Sequence, residues 1–151
     1  NEIKIISIES NLSFSIPIPE LEFPVNIHGK VDRVDEFNGM LRIIDYKTGI
    51  VESSNLEIQD WEHVISDYKF SKIVQVLAYS LMINKNKSFK KAEAGIISFK
   101  RLKNGFMKFA IKGKPNQTFI NIETLNDFTH ELKKLILEIC NREIPFIEKK
   151  I

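Results

Sequence analysis

Cysteine is almost missing from this chain: Cys140 is the one example in 151 residues. A lone thiol excludes an internal disulfide. By itself it also excludes a four-cysteine zinc site or iron–sulfur cluster. It suits a reducing compartment, and a cytoplasmic location is expected. Long apolar stretches are missing as well. No run reaches the length of about 18 residues that a membrane-crossing helix needs, so no membrane partner is expected. No signal-peptide pattern opens the chain, and Asn1 in place of Met reads as a cut within a longer protein. With 6 glycines and 5 prolines, the chain has no linker, low-complexity segment or internal repeat. What is left is a single domain over residues 1–151, large enough to bury a core.

A large net charge is also absent, at +2, but the charge is unevenly spread. Residues 1–70 hold 13 acidic and 6 basic side chains, whereas residues 84–114 hold 10 basic side chains against Glu93 alone. The basic segment fits a polyanion-facing surface. It fits a lysine-rich solvated hairpin equally well.

The chain is organised around Gly29–Gly49. Asn38-Gly39 is a strong hairpin signal, because both central residues of a tight turn of this kind need φ > 0. Residues 23–36 and 40–47 are then its two strands. If Asn38 and Gly39 form the loop, Phe37 faces Met40, Asp35 faces Arg42 and Asp32 faces Asp45. The second of these is an ordinary ion pair. The third places two carboxylates about 4.5–5.5 Å apart at Cβ, where they repel. Lys47 shares a face with Asp45. Two facing acids beside a lysine make sense if a hard divalent cation lies between them. Asp-x-Lys is also an ordinary pattern on a solvated strand, so the residues alone leave both readings open. A slip of one residue in the turn would send the two acids to opposite faces.

Elsewhere, residues 2–9 and 12–18 read as a strand pair turning near Ser10-Asn11, closed by Pro17 and Pro19. Asp60 reads as the cap of a helix beginning at Trp61. Residues 71–84 read as a helix, apolar nearly all round and therefore buried. Gln75 and Tyr79 share one of its faces, with Lys72 one turn earlier. Polar groups on such a helix need partners, either in a cleft or on nearby backbone. Residues 92–100 and 106–112 read as strands about the turn Lys103-Asn104-Gly105, and 117–122 as a short strand. Thr124 and Asp127 read as a capping box opening a last helix, striped by Leu125, Phe128, Leu132, Leu135, Ile136 and Ile139. This order predicts an α/β fold, a mixed central sheet with helices packed on it.

Three elements together carry a resemblance: Gly29-x-x-Asp32-Arg33-x-Asp35, then Ile43-Ile44-Asp45-Tyr46-Lys47-Thr48-Gly49, then Gln75-x-x-x-Tyr79. In order and spacing, over about residues 23–83, they resemble the nuclease domain of the RecB/AddB branch of the PD-(D/E)XK superfamily. The resemblance implies a restriction-endonuclease-like α/β core and a metal-dependent deoxyribonuclease, the exonuclease module of a DNA-repair or recombination helicase–nuclease. It implies Asp32, Asp45 and Lys47 as catalytic residues. It implies Mg²⁺ or Mn²⁺ on Asp32, Asp45 and the Tyr46 carbonyl. Gln75, Tyr79 and Lys72 are then expected to support the site or touch the DNA backbone. Glu9 is a further candidate near the metal, against the simpler reading of an exposed strand-end acid. DNA is the expected partner, with a helicase-like region or subunit.

The chain departs from the family in two ways. Some relatives bind an iron–sulfur cluster through four cysteines, which Cys140 alone cannot do, so no cluster is expected. Relatives also carry an acidic or histidine motif on a helix upstream of the hairpin, and no helix is predicted before residue 23. The chain is therefore expected to be a C-terminal fragment of a larger protein. A catalytically weak or inactive nuclease-like module that binds DNA as a scaffold is the alternative.

Overall fold

The structure is a computed structural model and describes residues 1–148. Its centre is a mixed five-stranded sheet in the order β1-β2-β3-β5-β6. The strands are β1 (Ile3–Ile16), β2 (Val25–Phe37), β3 (Met40–Lys47), β5 (Ala92–Ser98) and β6 (Phe106–Lys108). A second, two-stranded parallel sheet joins β4 (Glu57–Ile58) to β7 (Ala110–Ile111). The helices α1 (Ser71–Asn86) and α2 (Ile122–Cys140) flank the main sheet. This is a restriction-endonuclease-like α/β arrangement. Among the described residues no helix is long and apolar enough to cross a membrane.

The β2–β3 hairpin has the predicted register as far as Arg33–Ile44, with Asn38 (φ +50°) and Gly39 (φ +81°) as its loop and Phe37 opposite Met40, Asp35 opposite Arg42; the expected Asp32–Asp45 pair lies beyond the paired ladder. The chain then crosses through α1 so that β5 lies parallel to β3, with Asp45 beside Ile96 and Lys47 beside Ser98. Parallel neighbours need such a crossover, and it brings α1 over the acid-bearing strand.

One core holds the layers together. It draws Val31 and Val34 from β2, Ile43 from β3, Ile96 from β5, Ile73, Val76 and Leu77 from α1, and Phe128 and Leu132 from α2. Gly29 lets α1 come close to β2: a Cβ there would lie 2.9 Å from Met82 Cε and 3.3 Å from Tyr79 Cε1. At Gly95 an added Cβ would fall 1.9 Å from the Met107 carbonyl oxygen, so β5 and β6 pair only because that side chain is absent.

Several expectations are corrected. Residues 2–9 and 12–18 do not fold back on each other. They form the single long strand β1, which spends its pairing on β2 from Ile3–Phe37 to Ile16–Val25. Ser10 and Asn11 stay in that ladder, opposite Val31 and Lys30, and Glu9 instead takes the left-handed backbone, φ +51°. Trp61 opens no helix. Asp60 Oδ1 accepts from the Glu62 N–H, but His63 at φ +65° breaks the winding, and between Trp61 and α1 only a 3-10 turn at Tyr68–Phe70 forms. β5 ends at Ser98 and passes into a 3-10 segment, Phe99–Asn104. The predicted 106–112 strand divides into β6 and β7, because Ala110 and Ile111 leave the main sheet to pair with β4. Residues 117–122 make only isolated bridges, Gln117 to Ile111 and Ile120 to Ala92. The α2 cap is Asn121, whose side chain accepts from the Thr124 N–H in a reciprocal box, because the helix begins earlier than Thr124.

Candidate active site

The site forms where the C-terminal end of β3 meets α1. Asp45 is 3 % exposed. Its Oδ1 accepts from Gln75 Nε2 at 3.3 Å, and its Oδ2 lies 2.9 Å from Lys47 Nζ. That ion pair lacks hydrogen-bonding geometry, which leaves Oδ2 a buried acceptor without a hydrogen bond. Lys47 Nζ instead donates to Gln75 Oε1 at 2.7 Å, and Gln75 Nε2 also donates to the Tyr79 hydroxyl at 2.8 Å. Gln75 therefore ties the lysine, the acid and the tyrosine into one network. Its helix spacing to Tyr79 is what puts both on the face that covers β3. Lys72 sits one turn earlier on α1, half-buried and without an ion pair among the described residues.

Asp32 reaches the site by a different route. The β2–β3 ladder runs from Phe37–Met40 to Arg33–Ile44 and stops there. At the next position Asp32 does not continue it; its Oδ2 accepts the Tyr46 N–H at 2.9 Å. The carboxylate thus takes over a bond that the sheet would otherwise make, and this holds it against the end of β3. The two acids feel each other. Burial pushes the Asp45 carboxyl above its usual range, the neighbouring Lys47 ammonium acts against this, and the charge of Asp32 adds to the upward push.

The backbone supplies the reason that Asp32 turns inward. In β2 the sheltered residues are Val25, Ile27, Gly29 and Val31, and beyond Asp32 the phase moves to Val34. In β1 they are Ile16, Phe14, Leu12 and Ser10, and beyond Glu9 the phase moves to Ser7. Glu9 is the position opposite Asp32, and that pair is the one missing between Ile8–Arg33 and Ser10–Val31. The left-handed Glu9 is therefore a pivot at which both strands exchange faces. The Glu9 side chain itself points to Lys30, 3.2 Å away, and is 68 % exposed.

A divalent cation fits this donor set. Two carboxylates and the Tyr46 carbonyl are hard oxygen donors, and one buried carboxylate oxygen accepts no hydrogen bond. Among the described residues no group of three His, Cys, Asp or Glu side chains is placed to hold a metal. Such a site would therefore rest on two acids, with water and substrate oxygens completing the shell, as Mg²⁺ commonly allows.

A sequence model described as the PD-(D/E)XK nuclease superfamily matches residues 2–150. The chain belongs to that superfamily. No curated protein matches it significantly. Members of the PD-(D/E)XK superfamily are nucleases that typically use divalent metal ions, and the fold around β3 and α1 agrees with membership. Within this PD-(D/E)XK domain, sequence reading alone did not reach the pivot at Glu9, nor that Arg33 and Tyr46 extend the Asp35–Arg42 pair on the other face of the hairpin. Glu9 carries no turn-forming signature, and the extension depends on which face each strand presents.

That other face is filled by a saturated network. Asp35 is fully buried and accepts from Arg42 Nε at 2.7 Å and Nη2 at 2.8 Å, and from Arg33 Nε at 2.8 Å. Arg33 Nη1 also donates to the Tyr46 hydroxyl at 3.2 Å. Arg42 lies over the Phe37 ring. Burial raises the Asp35 carboxyl, but the bonds and charges of Arg42 and Arg33 outweigh it and hold the group below its usual range.

Proposed function

We propose that this domain is a divalent-metal-dependent deoxyribonuclease of the RecB/AddB type, the exonuclease module of a DNA-repair or recombination helicase–nuclease, acting in the cytoplasm as part of a larger chain. The observation that carries this reading is Asp45: a buried carboxylate with one oxygen that accepts no hydrogen bond, ion-paired with Lys47 Nζ at 2.9 Å and beside the charge of Asp32. A structural aspartate so deeply placed would be saturated.

Bound Mg²⁺ or Mn²⁺ supplies Lewis-acid polarisation of the phosphoryl oxygen and a lowered pKa for attacking water. Asp32, Asp45 and the Tyr46 carbonyl would hold the ion. Lys47 places positive charge where the phosphorane gains negative charge. Gln75 keeps the lysine from swinging into solvent, and Tyr79 fixes the amide of Gln75. Lys72, one turn along the same helix, is within the stretch of α1 that a DNA backbone would follow. Glu9 acts through its backbone rather than as a ligand.

The test is cleavage of linear DNA by the purified chain with Mg²⁺ or Mn²⁺, with EDTA, and with Asp45→Ala. Activity confined to the wild type with metal is expected; cleavage that survives both EDTA and the substitution sinks the proposal. A second reading is a DNA-binding scaffold that does not cut. It draws on the restriction of the site to two acids and on the basic 84–114 segment. Binding that persists in EDTA with no cleavage under any divalent ion selects it.

A further inference from the structure

Tyr46 stands between the acid and the lysine, and its ring lies on the opposite face of β3. There it stacks on Phe99, with centroids 5.6 Å apart and planes 15° apart. Were Phe99 only a lid over Tyr46, it would be covered in turn; it is 53 % exposed. Leu102, beyond a kink at Arg101, is 62 % exposed. Lys100, Arg101 and Lys103 are all exposed on the same Phe99–Asn104 segment. Arg101 is engaged by Glu52 at 3.1 Å, and Lys100 and Lys103 make no ion pair among the described residues.

The platform is held rigidly. Asp35 clamps Arg33, Arg33 donates to the Tyr46 hydroxyl, and Tyr46 backs Phe99. From the other side, the buried Ser98 hydroxyl donates to the Gly49 carbonyl at 2.6 Å and ties the start of the segment to the end of the catalytic strand. A half-exposed ring, backed by Tyr46 on the face of β3 opposite the acids and flanked by free cations, has the chemistry of a stacking surface for a base.

We propose that Phe99, backed by Tyr46 and flanked by Lys100 and Lys103, is a nucleobase-stacking subsite that takes an unpaired base of the strand whose phosphate lies at Asp32 and Asp45. The placement of that phosphate rests on the nuclease reading above; the stacking itself does not. A base paired within a duplex has its faces covered by neighbours, so the subsite favours a frayed or single-stranded end. The lysines contribute sequence-independent, salt-sensitive attraction.

The test uses the full chain in EDTA, so that no cleavage enters. The probes are an oligothymidylate carrying one 2-aminopurine and a blunt hairpin duplex. Wild type and Phe99→Trp are expected to change the 2-aminopurine emission on binding. Phe99→Ala is expected to lose that change and to bind the oligothymidylate about tenfold more weakly, the scale of one base–aromatic stack. Its duplex affinity and melting temperature should stay near wild type, because the ring is half exposed. Equal single-strand affinity and an equal emission change in Phe99→Ala overturn the proposal. A chain that stacks the probe but never cuts DNA refutes the nuclease reading and leaves this one standing; a chain that cuts but shows no Phe99-dependent stacking does the reverse.

Discussion

Asp35 and Asp45 are two buried aspartates on one hairpin, facing opposite sides of the sheet. Asp35 is fully saturated by two arginines, and its carboxyl is held below the usual range. Asp45 has an oxygen without a hydrogen bond, and its carboxyl is pushed above the usual range by burial and by Asp32. Burial alone therefore does not distinguish a structural acid from a functional one. What distinguishes them is whether the surroundings complete the group's bonding. A completed acid stabilises the fold; an incomplete one is kept at a cost in stability, in a place where an incoming ion can use it.

The sharpest way to break this contrast is to exchange the outcomes of removing each acid. Asp45→Ala should lower cleavage by about 10³-fold or more, the scale on which loss of a transition-state-stabilising group acts, with the fold intact by circular dichroism. Asp35→Ala should do the opposite: lose about 3–5 kcal/mol of stability in urea titrations, because two arginines are stranded around a buried gap. If Asp35→Ala melts like wild type, the saturated network is not structural and the comparison fails.

A gentler substitution sharpens the same point. Asp45→Asn keeps the shape and removes a charge that is costly when buried, so it should be inactive yet melt higher, within the ~0.5–2 kcal/mol typical of single stabilising changes. A lower melting temperature would mean that the Lys47 ion pair outweighs burial. The pH dependence runs in opposite directions for the two acids. Asp35, with its folded pKa lowered, adds stability above its unfolded pKa of about 3.9, and this is lost as pH falls through the folded value. Asp45, with its folded pKa raised, costs stability as pH climbs from the unfolded to the folded value. Acid titration of Asp35→Asn should therefore lose the steep fall of the wild type below about pH 4. An unchanged acid limb would remove Asp35 as its source.

The smallest effect is expected at Glu9. Glycine has no penalty for a left-handed backbone, whereas a β-branched residue does. Glu9→Gly should be neutral or stabilising by up to about 1 kcal/mol and keep Tyr46 amide protection in hydrogen exchange, while Glu9→Val loses both. Loss of activity in Glu9→Gly with Tyr46 still protected would show that the carboxylate, not the pivot, is what the site uses.

Much of the site was legible in the chain. Asn38-Gly39 sets a two-residue loop, and a hairpin of fixed loop length has one register, so Asp35–Arg42 followed directly and the acids arrived at the same end. The helix spacing of Gln75 and Tyr79 was equally local. The folding of residues 2–18 was not. Their alternation is that of a strand, and alternation does not say which strand is the partner; β2 is the partner because it lies next to β1 across the whole sheet. The Thr124 cap failed for a similar reason: Ser, Thr, Asn and Asp are interchangeable as caps, and the start of α2 depends on where Ile120 pairs with Ala92.

The order of residues therefore determined what is local: the hairpin, its acids and lysine, and the two helical faces, because turn chemistry and periodicity act over a few residues. Only the tertiary structure decided that Asp32 takes the Tyr46 N–H, that Lys47 rests on Gln75, that one Asp45 oxygen accepts no hydrogen bond and that Tyr46 backs Phe99. The contacts of Lys47 and Asp45 depend on the surface that α1 presents as the chain crosses from β3 to β5, and those of Asp32 and Tyr46 on where the β2–β3 ladder breaks and where the segment after β5 lands.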